Sequence, residues 1–124
     1  MNKSILIDRM KNLPAHVVYG ELTGSPSWGD AMQELIPAHM RQSLIRWVGL
    51  GIYPGGFLTA VLENDLFGAE RSRAEMGGGK SIRDYIIFLH NYAPSNCFGS
   101  YERAERWAES GGMIGQREKA EEIE

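Results

Sequence analysis

The chain has a single cysteine, Cys97, among 124 residues. One thiol excludes an internal disulfide framework and suits a reducing compartment. Long hydrophobic runs are also missing: no stretch approaches the roughly 20 apolar residues that cross a bilayer as a helix. Asp8 and Arg9 cut short the apolar run Ile5-Leu6-Ile7, so no secretion signal is expected there. Nor is there an excess of positive charge. Thirteen Lys and Arg against sixteen Asp and Glu leave a formal charge of −3, which argues against a dedicated nucleic-acid binder. Residues 118–124 (EKAEEIE) hold four Glu and one Lys, so the body of the chain is close to neutral and a local basic patch stays open.

Ready-made chemistry is equally scarce. His16, His39 and His90 have no partner histidine three or four residues away, so a metal site would need long-range assembly. Ser43, Ser72 and Cys97 carry no local nucleophile signature. Glu63 and Asp65 are two apart and point to different sides of a helix, which does not make an acid–base pair. Asp65 falls nearer the apolar face, where it needs a partner such as an Arg or a helix-end N–H. The expectation is a protein that is not an enzyme and uses no cofactor or metal.

What is present is the composition of one globular domain, 43% hydrophobic and 23% charged. The stretch YPGGFLTAVLEND, residues 53–65, organises the rest. Pro54 fixes φ, Gly55 and Gly56 free the backbone, and Phe57, Leu58, Val61, Leu62 and Leu66 then recur at helical spacing. A helix is expected from about Phe57 to Ala69, with Ala74 as its furthest end. Before it, Met40, Leu44, Trp47 and Val48 form an apolar stripe that begins after Pro37 and ends at Gly49 or Gly51. After it, Ser81 and Asp84 resemble a capping box for a helix with the stripe Ile82, Tyr85, Ile86 and Leu89. Ser100 caps a last short helix in which Tyr101, Ala104, Trp107 and Ala108 face inward.

The first third reads differently. His16-Val17-Val18-Tyr19 lies between Pro14 and Gly20, is β-branched, and predicts a strand pairing with residues 4–7 or with another subunit. Residues 23–29 read as a loop, and Asp30 caps a short helix over 31–35. The expected fold is mainly α, a compact bundle of about four helices with a short N-terminal extended segment or β-strand. It divides into an N-terminal arm over 1–36, a helical core over 37–112 and an acidic tail over 113–124.

Two glycine motifs invite a binding role. Gly77-Gly78-Gly79-Lys80-Ser81 looks like the end of a phosphate-binding loop, but Ala74 stands where the pattern needs its first Gly and no strand precedes it. It reads as a helix–helix linker, with Lys80 able to contact an anion. At Tyr53-Pro54-Gly55-Gly56, a glycine pair before a helix exposes backbone N–H groups, Thr59 lies in the first turn, and Arg41 or Arg46 can approach from the preceding helix. The alternative is a close corner that needs glycine for chain reversal. Trp28 and Tyr53 fall in expected loops, where an aromatic either stacks on a base, anchors a protein partner, or packs over the core edge.

From Pro37 to Trp107 the chain resembles a set of small proteins encoded in bacteriophages and prophages of proteobacteria. The resemblance rests on Pro37-Ala38-His39-Met40-Arg41, on PGGFLTAVLENDL over 54–66, on the helix over 86–91, and on APSNCFGS over 93–100. It implies a phage accessory gene acting in the cytoplasm of the bacterial host, and it transfers no activity and no residue role. The leading expectation is a binding protein that counters a bacterial defence system by sequestering a nucleotide immune signal, with a pocket completed in a homo-oligomer. Its ligand-contacting residues would be Trp28, Arg41, Arg46, Tyr53, Gly55, Gly56, Thr59 and Lys80. The alternatives are a protein–protein inhibitor of a host defence enzyme and, less favoured, a small DNA-binding regulator. Against the last, the helix that would read DNA offers no basic residue before Arg71.

Overall fold

The computed structural model describes residues 1–75 and 82–123, and within them the chain is helical with no strand. Among the described residues nine α-helices stand where about four were expected: α1 (Lys3–Asn12), α2 (Ala15–Thr23), α3 (Pro26–Leu35), α4 (Ala38–Leu50), α5 (Gly56–Leu62), α6 (Leu66–Glu75), α7 (Ile82–Tyr92), α8 (Tyr101–Ser110) and α9 (Gly112–Ile123). A short 3₁₀ turn, Ser95–Cys97, separates α7 from α8. None of the described helices is long and apolar enough to cross a membrane.

The expected strand is helix α2. Its local β propensity rests on two valines with no second strand to pair, and burial decides the matter. As a helix the segment places Val18, Tyr19 and Leu22 on one fully buried face, and the Tyr19 hydroxyl reaches across to donate to the Tyr92 carbonyl of α7. The expected loop over 23–29 is also helical from Pro26, which occupies the first turn of α3, where its missing N–H costs nothing. α2 and α3 cross so closely that a β-carbon on Gly29 would sit 2.3 Å from the His16 carbonyl oxygen. Trp28 therefore lies on a helix, half-buried against the core, and not in a loop.

Further along, the single helix expected over 57–69 is two. Asn64 takes a left-handed conformation, φ 61°, and α5 stops there. Asp65 then accepts a hydrogen bond from the Gly68 N–H at 3.0 Å and caps α6, so its partner is a helix-end N–H. The break resets the helical register and turns Leu66 outward, 62% exposed, instead of into the core. Ile86 and Tyr101 likewise face out, while Phe88 takes a fully buried place on α7.

Much of the rest follows its local signals. Leu44, Trp47 and Val48 are fully buried, and Gly51 adopts the left-handed cap that ends α4. The Ser100 hydroxyl accepts from the Arg103 N–H and caps α8, whose Ala104 and Trp107 point inward. Two indoles tie the middle together. Trp47 Nε1 donates to the Cys97 carbonyl at 3.0 Å, and Trp107 Nε1 donates to the Trp47 carbonyl at 2.8 Å. One cluster of buried hydrophobics runs from Leu6 to Ile114, and residues 1–36 contribute Leu6, Val18, Tyr19, Leu22 and Met32 to it. The start of the tail is part of α9, which packs on α4 and α8. Ile114 is buried there, and Arg117 donates to the Leu22 carbonyl.

Candidate functional site

The glycine corner is assembled from the end of α4, the connecting residues 51–55 and the first turn of α5. Tyr53 lays its ring against Trp47, with centroids 4.9 Å apart and planes tilted by 36°, and is still 42% exposed. Thr59 donates its hydroxyl to the Pro54 carbonyl at 3.0 Å, which clips the connection onto α5. The glycines themselves need no special backbone. Gly55 has φ −64°, Gly56 is not among the residues with positive φ, and a β-carbon built at either position meets no atom within 4 Å. Neither chain reversal nor packing within the fold calls for glycine here.

Beside the corner is a cleft of about 360 Å³ between α5 and α6. Gly56 and Thr59 line it together with Glu63, Asp65, Arg71 and Ser72. Arg71 and Ser72 were not singled out as site residues from the sequence, because their approach to Gly56 depends on the α5–α6 turn at Asn64. Carboxylates also lie near Tyr53. Partial burial, and then Glu63, Tyr101, Glu105 and Glu109, hold its hydroxyl above the ordinary tyrosine range. Tyr101 is raised as well, foremost by its hydrogen bond to Glu105. Charge about the corner is therefore mixed: Arg71 shares the cleft with Glu63 and Asp65, and Glu105 and Glu109 of α8 lie near Tyr53.

The remaining expected residues are scattered. Arg41 donates Nε to the Ile36 carbonyl and Nη2 to the Gln33 carbonyl, both at 2.8 Å, and so closes the C-terminal end of α3. Those carbonyls lack helical partners, and a guanidinium satisfies two at once. Arg46 is exposed on α4. Neither arginine, nor Trp28, lines the corner cleft. Lys80 and its Gly-Gly-Gly-Lys-Ser motif lie outside the described residues. Among the described residues no group of three His, Cys, Asp or Glu is placed to hold a metal ion. Cys97 is buried, and burial pushes its thiol up to about 12.

No protein-family model matches the chain, and no curated protein and no solved structure matches it.

Proposed function

We propose that this is a phage accessory protein, not an enzyme, that acts in the cytoplasm of its bacterial host against a defence system, by binding and sequestering a nucleotide-type signal at the glycine corner. The observation that carries the proposal is the pair of bare glycines. A β-carbon at Gly55 or Gly56 would meet no atom within 4 Å, and the lack of side chains there lets a ligand come within contact distance of the peptide groups. The neighbourhood suits a nucleotide. Tyr53, 42% exposed, offers a ring to stack on a base, and Arg71 and Ser72 offer donors to phosphate oxygens in a cleft that Glu63 and Asp65 also line. A second copy of the chain would supply further contacts to an open cleft of this size.

The test is a thermal-shift panel of cyclic dinucleotides, cyclic ADP-ribose isomers, NAD and ATP, with light scattering for the mass of the free and bound protein. A ligand at about 100 times its dissociation constant adds roughly 2.7 kcal/mol, several degrees for a domain of this length. Gly56→Asp adds a carboxylate at a cleft-lining position where a β-carbon meets nothing, and should erase the shift while the far-ultraviolet spectrum is kept. An undiminished shift in that variant removes the corner from the proposal.

A second reading is supported by a separate observation. Tyr53 and Tyr101, 42% and 58% exposed, stand beside Glu63, Glu105 and Glu109, an anionic aromatic face that suits a basic surface on a host defence protein. A flat nucleotide panel, together with capture of one host protein that is lost in Tyr101→Ala and in Glu105→Lys, would replace the first reading by this one.

A further inference from the structure

Helix α8 is divided lengthwise by charge. Glu105 and Glu109 lie toward Tyr53, Ala104 and Trp107 are buried, and Arg103 and Arg106 face a different cleft, of about 440 Å³, near the 3₁₀ turn and the start of α9. Asn96, Arg103, Arg106, Trp107, Ser110 and Gln116 line it. Its polar groups are held in place by local bonds. Arg106 Nε donates to the Glu102 carbonyl one turn back, at 3.3 Å, which leaves both Nη groups available. Arg103 lies over Gly99, its Nη1 3.1 Å from where a β-carbon would stand, and Gly99 has φ +119°. The Ser110 hydroxyl donates to the Trp107 carbonyl at 2.6 Å and accepts from Gln116 Nε2 at 3.0 Å, which sets the Gln116 amide at the rim.

Two guanidinium groups therefore share one cleft, and among the described residues neither forms an ion pair with a carboxylate. We infer that this cleft binds a phosphate group, free or carried on a nucleotide. The forked donors of an arginine match two oxygens of a phosphate, and two arginines three apart on a helix stand side by side, converging on one anion. The amides of Asn96 and Gln116 add neutral hydrogen-bonding groups at the rim. The volume falls within the range of about 300–1,000 Å³ typical of small-molecule sites, more than a bare phosphate fills. Trp107 also lines the cleft, with its Nε1 already bonded to the Trp47 carbonyl.

The site shares no residue with the glycine corner and stands or falls independently of it. Isothermal titration of the full chain with inorganic phosphate, AMP and citrate tests it, in the wild-type protein and in a Gly56→Asp background that takes the corner out of play. Phosphate or AMP should bind in both backgrounds. Arg103→Ala and Arg106→Ala, both at exposed positions, should each weaken binding about tenfold, and Arg→Lys at both should keep part of it. Equal affinities for inorganic phosphate and AMP would identify the phosphate alone as the recognised group, and tighter AMP binding would identify a nucleotide. The inference is overturned by the absence of heat with either phosphate compound, by unchanged affinity in Arg103→Ala/Arg106→Ala, or by citrate binding as tightly as phosphate.

Discussion

Trp47→Phe and Trp107→Phe are the same chemical change, and the structure assigns them different costs. Both indoles are almost wholly buried, both lose the five-membered part of the ring, and both lose one N–H hydrogen bond. The difference is what the acceptor keeps. The Trp47 carbonyl, acceptor for Trp107, also receives the Gly51 N–H at 3.0 Å at the end of α4, so it remains bonded when Trp107 is truncated. The Cys97 carbonyl, acceptor for Trp47, has no second partner among the described residues and lies in the interior. A hydrogen bond lost with its partner still satisfied costs about 1 kcal/mol, whereas a stranded buried carbonyl costs about 1–3 kcal/mol. Loss of ring atoms adds about 1–2 kcal/mol to each, scaled down from the cost of removing a whole aromatic. Trp47→Phe should therefore destabilise by about 2–5 kcal/mol and Trp107→Phe by about 2–3 kcal/mol, the Trp47→Phe loss being the larger. Urea unfolding followed by circular dichroism at 222 nm measures both, and with a typical slope the midpoints should fall by about 1–2 M. Equal losses, or a larger loss for Trp107→Phe, would refute the reasoning that acceptor satisfaction sets the difference.

Three other perturbations follow from the same contacts. Arg41→Ala frees the Gln33 and Ile36 carbonyls and should cost about 1–2 kcal/mol in urea unfolding, while Arg46→Ala, on the exposed side of α4, should stay within about 0.5 kcal/mol. Gly29→Ala drives a methyl into the His16 carbonyl and should cost at least about 1–3 kcal/mol of thermal stability, whereas Gly55→Ala meets nothing and should leave the melting temperature within a few degrees. The Cys97 thiol is raised from 9.0 to about 12 by burial, so the unfolded chain releases this proton first as pH rises. Its contribution is whole below pH 9, falls as pH climbs toward 12, and should disappear from the pH profile of unfolding in Cys97→Ala. Tyr19, raised by burial, acts in the same direction. A folded protein alkylated at Cys97 as fast as free cysteine at pH 8 would contradict this burial.

Several features of the fold were legible because their causes lie within a few residues. The stripe Leu44, Trp47 and Val48 is set by the 3.6-residue period, the end of α4 by a glycine able to turn left-handed, and the start of α8 by a serine three residues before a free N–H. The glycine corner was visible for the same reason, since Pro54, Gly55, Gly56 and Thr59 are neighbours in the chain.

Tertiary structure decided what depends on partners far away in sequence. Val17 and Val18 favour a strand by themselves, and α2 is a helix because that geometry buries Val18, Tyr19 and Leu22 and lets Tyr19 reach Tyr92, 73 residues on. Arg41, a ligand candidate by sequence, closes α3, because the preceding segment is a longer helix whose last carbonyls need donors. That a β-carbon at Gly55 or Gly56 would meet nothing could be seen only once the space around them was known. The glutamates of α8 beside Tyr53, and the two arginines turned to the opposite cleft, come together only when α8 is docked. Periodicity and capping act over one or two turns of helix. Burial and charge act across whatever the packed chain makes adjacent.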